Sequence, residues 1–223
     1  MSRLFPETVD IHLAPAAITV GGRTIACDPD FGAEPWQGAL AALKSVQFKE
    51  QARVAVVLSN AFVRYALVPP SAALDDEAEE QAYVRHHFAK VHGERAKSWV
   101  FRWSGALASA IDRRLLDALK ASIAPDGKAR LASVQPALMA AFNRWVEEFP
   151  PAGAWLVLAE RERACAALYV RGSWRSVQNA KGDWLELLER ERHRAEGPVP
   201  ELVLLVGAAA PRVDSWNIRE LRA

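Results

Sequence analysis

Pro150-Pro151-Ala152-Gly153 is the strongest break in the chain, and the same order of segments recurs on either side of it. Before the break, Thr8–Leu13, Ala17–Val20 and Arg23–Cys27 read as three short strands, parted by Ala14-Pro15 and Gly21-Gly22. A helical stretch, Trp36–Ser45, follows with Trp36, Leu40 and Leu43 on one face, and then a buried strand, Arg53–Leu58. After the break, Ala154–Ala159, Ala164–Val170 and Trp174–Gln178 read as strands, Trp184–His193 as a helix and Glu201–Val206 as a buried strand. Three strands, a helix and a strand, given twice, predict a duplicated α/β fold with lobes at residues 1–150 and 151–223.

The first half carries extra segments. Ser59-Asn60 marks a turn into a strand, Phe62–Val68, which Pro69-Pro70 ends because proline cannot donate to a ladder. A helix over Asp76–Val91 follows, with Asp75 as the expected cap, acids Asp76, Glu77, Glu79 and Glu80 at its positive end, and Arg85, His86 and Lys90 toward its negative end. Trp99–Ser104 and Leu107–Ala110 read as strands. Ile111–Ile123 has helical spacing at Ile111, Leu115, Leu119 and Ile123 and ends at Pro125-Asp126-Gly127. Arg130–Val134 is a strand, and the apolar face Leu138, Phe142, Trp145, Phe149 predicts the helix after Pro136.

Several function classes are disfavoured by what the chain holds. A formal net charge of +1 gives no basic field for nucleic acid. Met1–Glu7 lacks the apolar stretch of a signal peptide, and the run Leu202–Ala210 is far too short to span a bilayer, so the expected compartment is the cytoplasm. Two cysteines, Cys27 and Cys165, sit in apolar strand-like surroundings and read as buried reduced thiols. His86, His87 and His92 do not share one helix face with a carboxylate or thiolate, so no metal is expected. His12 reads as a core or edge histidine. Asp10 is the one acid well placed on a first strand for nuclease chemistry, and it stands alone there. Phosphate loops, nucleophile elbows and dinucleotide fingerprints are absent from the sequence. Eight tryptophans are many for this length. Trp36, Trp145 and Trp184 read as core, whereas Trp99, Trp103 and Trp174 fall on strands, where alternation can expose one as an interface anchor.

The duplicated order is that of the actin-like (RNase H-like) fold. The stretch RVAVVLSNAFVRYALVPP, the acidic-to-basic helix and SWVFRWS resemble the cytoplasmic domain of GspL of type II secretion and its type IV pilus relatives PilM and MshI. RLASVQPALMAAFNRW is similar to the strand-to-helix join of PilM, and AWLVLAERERACAALYVRGSWRSVQ to the hairpins that open the second actin-like half. The resemblance implies a cytoplasmic scaffold, peripheral at the inner membrane, that receives the tail of a PilN-like or GspM-like membrane partner. A homodimer stays open.

Actin-like ATPases cradle phosphates in glycine-bearing hairpins, where backbone N–H groups must come close to the ligand. Here the first hairpin, Asp10 to Ala17, keeps the acid but has no glycine, and Pro15 removes a donor. The second, Ala159 to Ala164, offers Glu160 and Glu162 in place of glycine. The late adenosine cluster is reduced to Gly207-Ala208-Ala209-Ala210. Asp10 and Gly207 are therefore vestiges of a nucleotide site, and a degenerate, truncated second half without catalysis or cofactor is expected. The alternatives are a divergent ATPase that still binds nucleotide, or an unrelated α/β interaction module. The expected docking strand is Phe62–Val68. Its face bearing Phe62, Arg64, Ala66 and Val68 is expected to meet solvent or a partner, with Tyr65 on the opposite face, and Phe62, Arg64 and Tyr65 are the candidate contacts.

Overall fold

The computed structural model describes residues 7–222, apart from residues 30, 31, 33, 72, 73, 75, 125 and 126. The chain forms two compact units, Met1–Val63 with Ile111–Ala137, and Arg64–Ala110 with Leu138–Ala223.

The first unit is built on a five-stranded sheet. β1 (Thr8–Ala14), β2 (Ala17–Val20) and β3 (Arg23–Ala26) meander antiparallel, and β4 (Arg53–Leu58) then lies parallel to β1. A later strand, numbered β8 below, flanks β4 and completes the order β3-β2-β1-β4-β8. Ile11 and Leu13 stand opposite Val56 and Leu58, and all four are essentially inaccessible. β4 alternates instead of being buried throughout: Val54, Val56 and Leu58 face inward and Ala55 and Val57 are half-buried. Helix α1 (Gln37–Lys44) buries Ala39, Leu40 and Leu43. Its Gly38 is fixed by crowding, because a Cβ there would lie 1.9 Å from the Asp28 carbonyl oxygen.

The three-stranded sheet follows in sequence. β5 (Val63–Leu67), helix α2 (Glu77–His92), a 3₁₀ turn over Gly93–Ser98, β6 (Trp99–Ser104) and β7 (Leu107–Asp112) give the order β5-β7-β6. The expected cap Asp75 lies outside the described residues. Asp76 caps α2, its Oδ1 accepting the Glu79 N–H at 2.8 Å. Val84 and Phe88 bury one stripe of α2 against Val68, Phe101, Ala108 and Ala110. β7 runs two residues further than expected. Asp112 then caps α3 (Arg113–Ile123) through the Arg114 N–H, so Ile111 ends a strand and does not begin the helix. Leu115, Leu119 and Ile123 are fully buried, each contributing about 1.5–3 kcal/mol by leaving water. The expected end signal Pro125-Asp126 lies outside the described residues. β8 (Arg130–Pro136) leads into α4 (Ala137–Trp145).

The second five-stranded sheet repeats the first. β9 (Ala154–Glu160), β10 (Arg163–Val170) and β11 (Ser173–Lys181) meander antiparallel, α5 (Trp184–Arg194) follows, and β12 (Leu202–Val206) lies parallel to β9. β13 (Asn217–Leu221) adds parallel to β12, giving β11-β10-β9-β12-β13, the same path as in the first sheet. Ala154–Leu158 and Ala164–Leu168 are buried along their whole lengths. α5 packs Trp184, Leu187 and Leu188 onto Trp155, Val157, Ala166, Leu168, Val203 and Leu205. Phe142 of α4 meets Tyr169 and Trp174 at ring distances of 4.8 and 4.7 Å.

β13 was not legible beforehand: NIREL has no apolar run, and four of its five residues are partly or fully exposed. Residues 207–216 join β12 to β13 without a helix, where a parallel crossover usually takes about a dozen residues or more. Trp216 supplies the missing cover. It packs edge-on to Trp155 at 6.5 Å, donates its Nε1–H to Glu189 at 2.5 Å and lies under the Arg192 guanidinium at 4.8 Å. Replacing Gly38 by alanine is expected to cost about 1–3 kcal/mol, as overpacking does. A thermal melt checks this, and a melting point equal to the parent's would contradict the crowding at Asp28.

Candidate functional site

Both hairpins that would face a phosphate are tight turns without a nest of N–H groups. The β1–β2 turn is Pro15-Ala16 and the β9–β10 turn is Arg161-Glu162, and no residue of either has positive φ. Asp10 is exposed on β1, opposite Ala55 of β4, and its carbonyl accepts the Gly21 N–H at 3.1 Å. Gly207 has φ +90°, and a Cβ there would stand 2.3 Å from the Ala159 carbonyl oxygen. The close passage of β12's end across β9 is thus sufficient reason for this glycine, without a ligand. Ser59 and Asn60, at the end of β4, are fully buried, and Ser59 donates its N–H to the Leu13 carbonyl at 2.9 Å.

The other polar candidates scatter. His12 is exposed on the central strand β1, neither in the core nor at an edge. His86 is exposed and His87 half-buried against Tyr83. Among the described residues no three His, Cys, Asp or Glu side chains group as metal ligands. Cys165 is fully buried, and burial pushes its thiol pKa far up. Cys27 differs from expectation: it sits half-buried just beyond β3, its Sγ 3.6 Å from the Ile25 carbonyl. Trp174, expected as a possible exposed anchor, is 8% exposed inside the aromatic group of Phe142, Phe149 and Tyr169.

β5 is an edge of its sheet, but its faces are not free. Ala66 and Val68 pack in the core under α2, so the face that carries Arg64 is the covered one and not the one turned to solvent. The reason is that α2 uses this face to bury Val84 and Phe88. Phe62 is 5% exposed, which leaves Arg64 and Tyr65, both half-buried, as the accessible part of the expected trio. Burial raises the Tyr65 pKa well above its usual value, against a backbone hydrogen bond at Leu138.

Two other arginines act on Arg64. Burial first, then Arg163 of β10 and Arg95 of the 3₁₀ turn, lower its pKa. His92, the last residue of α2, stacks at 4.9 Å on Trp99 and 6.1 Å on Phe88, and its pKa is lowered by burial, Arg64 and Arg95. Arg163 donates to Asn179 Oδ1 at 2.9 Å and is half-buried, with Glu160 as the nearby carboxylate. Of these, the sequence offers Arg64 as a contact; His92 and Arg95, three residues apart where α2 runs into the 3₁₀ turn, and Arg163 of β10 come near it only in the fold.

Two sheets with one strand order, each opened by a meander and closed by parallel strands, decide the class. The fold is that of the actin-like ATPases. A Bacteroides thetaiotaomicron protein with actin-like ATPase fold and unknown function is similar over 91% of this chain and 82% of its own, with TM-score 0.55 and 11% identity. The cytoplasmic domain of EpsL, an inner membrane component of the type II secretion system of Vibrio cholerae, is similar over 97% of this chain and 89% of its own, with TM-score 0.56 and 16% identity. A chain of the PilM–PilN type IV pilus biogenesis complex is similar over 90% of this chain and 81% of its own, with TM-score 0.56 and 15% identity. The expected actin-like fold of GspL and PilM type is therefore present. No protein-family model and no curated protein sequence matches the chain.

The depressed pKa of His92 has a sign. The unfolded chain binds a proton near pH 6.5 more readily than the native one, so stability from this residue is complete above about that pH and falls away as the pH drops below it. His92→Asn is expected to flatten the fall in melting temperature between about pH 7 and 5. Equal pH dependence in parent and variant would show that His92 titrates as an ordinary surface group.

Proposed function

We propose that this chain is a non-catalytic adaptor of a type IV pilus or type II secretion assembly platform. In this reading it lies on the cytoplasmic side of the inner membrane and is held there by the tail of a PilN-like or GspM-like partner. The lobes of the duplication are residues 1–150 and 151–223. The reading is carried by one observation: an actin-like fold whose two phosphate-facing turns have no glycine and no positive φ. Pro15 lacks a donor, and Glu160 at the end of β9 and Glu162 in the second turn would oppose a phosphate. Among the described residues no helix is long and apolar enough to cross a membrane, which fits a membrane association lent by a partner.

In this reading an extended tail adds along β5, which stands at the edge of its three-stranded sheet, and alternating side chains of the tail set specificity. Two experiments test the reading. Calorimetry with millimolar ATP and magnesium is expected to give no saturable signal, and a signal lost in Asp10→Ala would restore the ATPase alternative. A short cytoplasmic tail of a co-encoded membrane protein is expected to bind at micromolar strength, and Arg64→Glu to weaken it at nearly unchanged thermal stability. Undiminished binding by the variant, or binding that maps to β11 or β13, would remove β5 as the docking strand.

A further inference from the structure

α2 is the longest helix among the described residues, sixteen residues from Glu77 to His92, yet it buries only Val84 and Phe88. The eleven-residue helices α3 and α5 bury three and four side chains. A helix that meets its own fold along so narrow a stripe leaves most of its surface to solvent or to another molecule.

An open groove of about 490 Å³ runs along one side of α2. Ala78, Ala82, Arg85 and Ala89 line it at spacings of four, three and four, which is one helix face. Gln81 and His86 flank them, and the 3₁₀ turn adds Ala96 and Lys97. From Ala78 to Ala89 the groove follows the helix for roughly 16 Å, about three turns. Alanines along this length let a second helix approach to the near end of the usual axial separation, about 8 Å.

Charge selects the occupant. α2 opens with Glu77, Glu79 and Glu80 and closes with Lys90 and His92, and Arg85 and His86 belong to the basic half. Lys97 is bonded to Glu94 at 2.7 Å, whereas Arg85, among the described residues, lies 5.7 Å from the centre of the Phe101 ring and forms no salt bridge. A helix laid antiparallel in the groove must therefore be acidic in its first half and basic in its second. α2 itself has that order. The lining positions are also symmetric: Ala78 and Ala89, Gln81 and His86, and Ala82 and Arg85 stand equally far from a point between Tyr83 and Val84. A two-fold axis past that point sets Ala78 of one copy against Ala89 of the other, and Ala82 against Arg85.

We propose that two copies of this chain associate through α2, antiparallel about a two-fold axis, each helix seated in the groove of the other. A pair of three-turn faces is small beside a standard interface of about 1,600 Å², so the dimer dissociates in the micromolar range. The interface rests on α2 and its groove alone, and its failure would leave the adaptor reading as it stands.

Sedimentation velocity of the full chain, from low micromolar to half-millimolar concentration, measures the association. Ala82→Trp places bulk in the middle of the groove at an exposed residue. It is expected to raise the dissociation constant at least about tenfold at an unchanged melting temperature. Arg85→Glu and Glu77→Lys are each expected to weaken association alone, and an equimolar mixture of the two to associate more tightly than either. In a Cys27→Ser background, which removes the half-buried thiol and keeps the buried Cys165, Ala78→Cys and Ala89→Cys chains are mixed under mild oxidation. The mixed disulfide is expected in preference to either like pair, as antiparallel order requires. A monomer at every concentration overturns the proposal. So does a dimer that Ala82→Trp leaves intact, or a predominance of like-pair disulfides. Should Ala82→Trp lower the melting temperature, the charge variants decide, and no gain on mixing them removes the interface.

Discussion

The parallel pairing of β1 with β4, and of β9 with β12, holds each sheet together, because it places the first strand of each meander between an antiparallel and a parallel neighbour. A strand in that position is paired on both edges. In the second sheet it is also covered on both faces: every residue from Ala154 to Leu158 is buried, and its neighbour β10 is filled with Ala164, Cys165, Ala166 and Ala167, whereas β1 leaves Asp10 and His12 exposed. α5 packs over the small side chains Ala164 and Ala166 of β10, and Phe142 of α4 meets the strand further along at Tyr169. The close passage at Gly207 is a consequence of the same pairing. β12 must end across β9 at Ala159, and only a residue without Cβ passes there.

The parts of the fold that could be read beforehand are those where a period or a break stands alone in sequence. The three-strand meanders, the buried strands Arg53–Leu58 and Glu201–Val206 and the helices with regular apolar spacing belong to this group. The parts that could not be read depend on contacts formed elsewhere. β13 is a strand because β12 offers it a ladder, not because Asn217–Leu221 favours one. β7 reaches Asp112 because the side chain of Asp112 is needed as the cap of α3. The covered face of β5 was misjudged for a similar reason. Arg64 among apolar neighbours looks like an exposed face, yet a half-buried arginine at the rim of a core gives the same pattern.

The site divides along the same line. The loss of glycine from both hairpins is a local property, so it was visible in the letters and the backbone adds that both turns keep negative φ. The nearness of Arg64 and Arg163 is a property of topology. Their numbers differ by 99, and only the placement of β5 near the start of β10 relates them. Gly207 belongs to neither class: its presence suggested a remnant of adenosine binding, whereas the geometry supplies a structural cause that would keep it in a protein that never meets a nucleotide.

The second sheet is held together by side chains that lie away from its hairpin turn. Its last crossover has no helix, so the exposed end of the sheet is closed by Trp216 instead. The indole fills the space over Trp155, its N–H is satisfied by Glu189 of α5, and Arg192 of the same helix lies on its outer face. Glu191, two positions after Glu189 on that helix and 4% exposed, accepts from Ser176 of β11 at 3.2 Å and from Arg194 at 3.1 Å. α5 therefore ties one edge strand, β11, to the cover of the other, β13, through side chains of about one turn. These bonds join elements within one compact unit and involve neither hairpin turn. The bonds that hold the second sheet are thereby separate from the β9–β10 turn, where the chain carries Arg161 and Glu162.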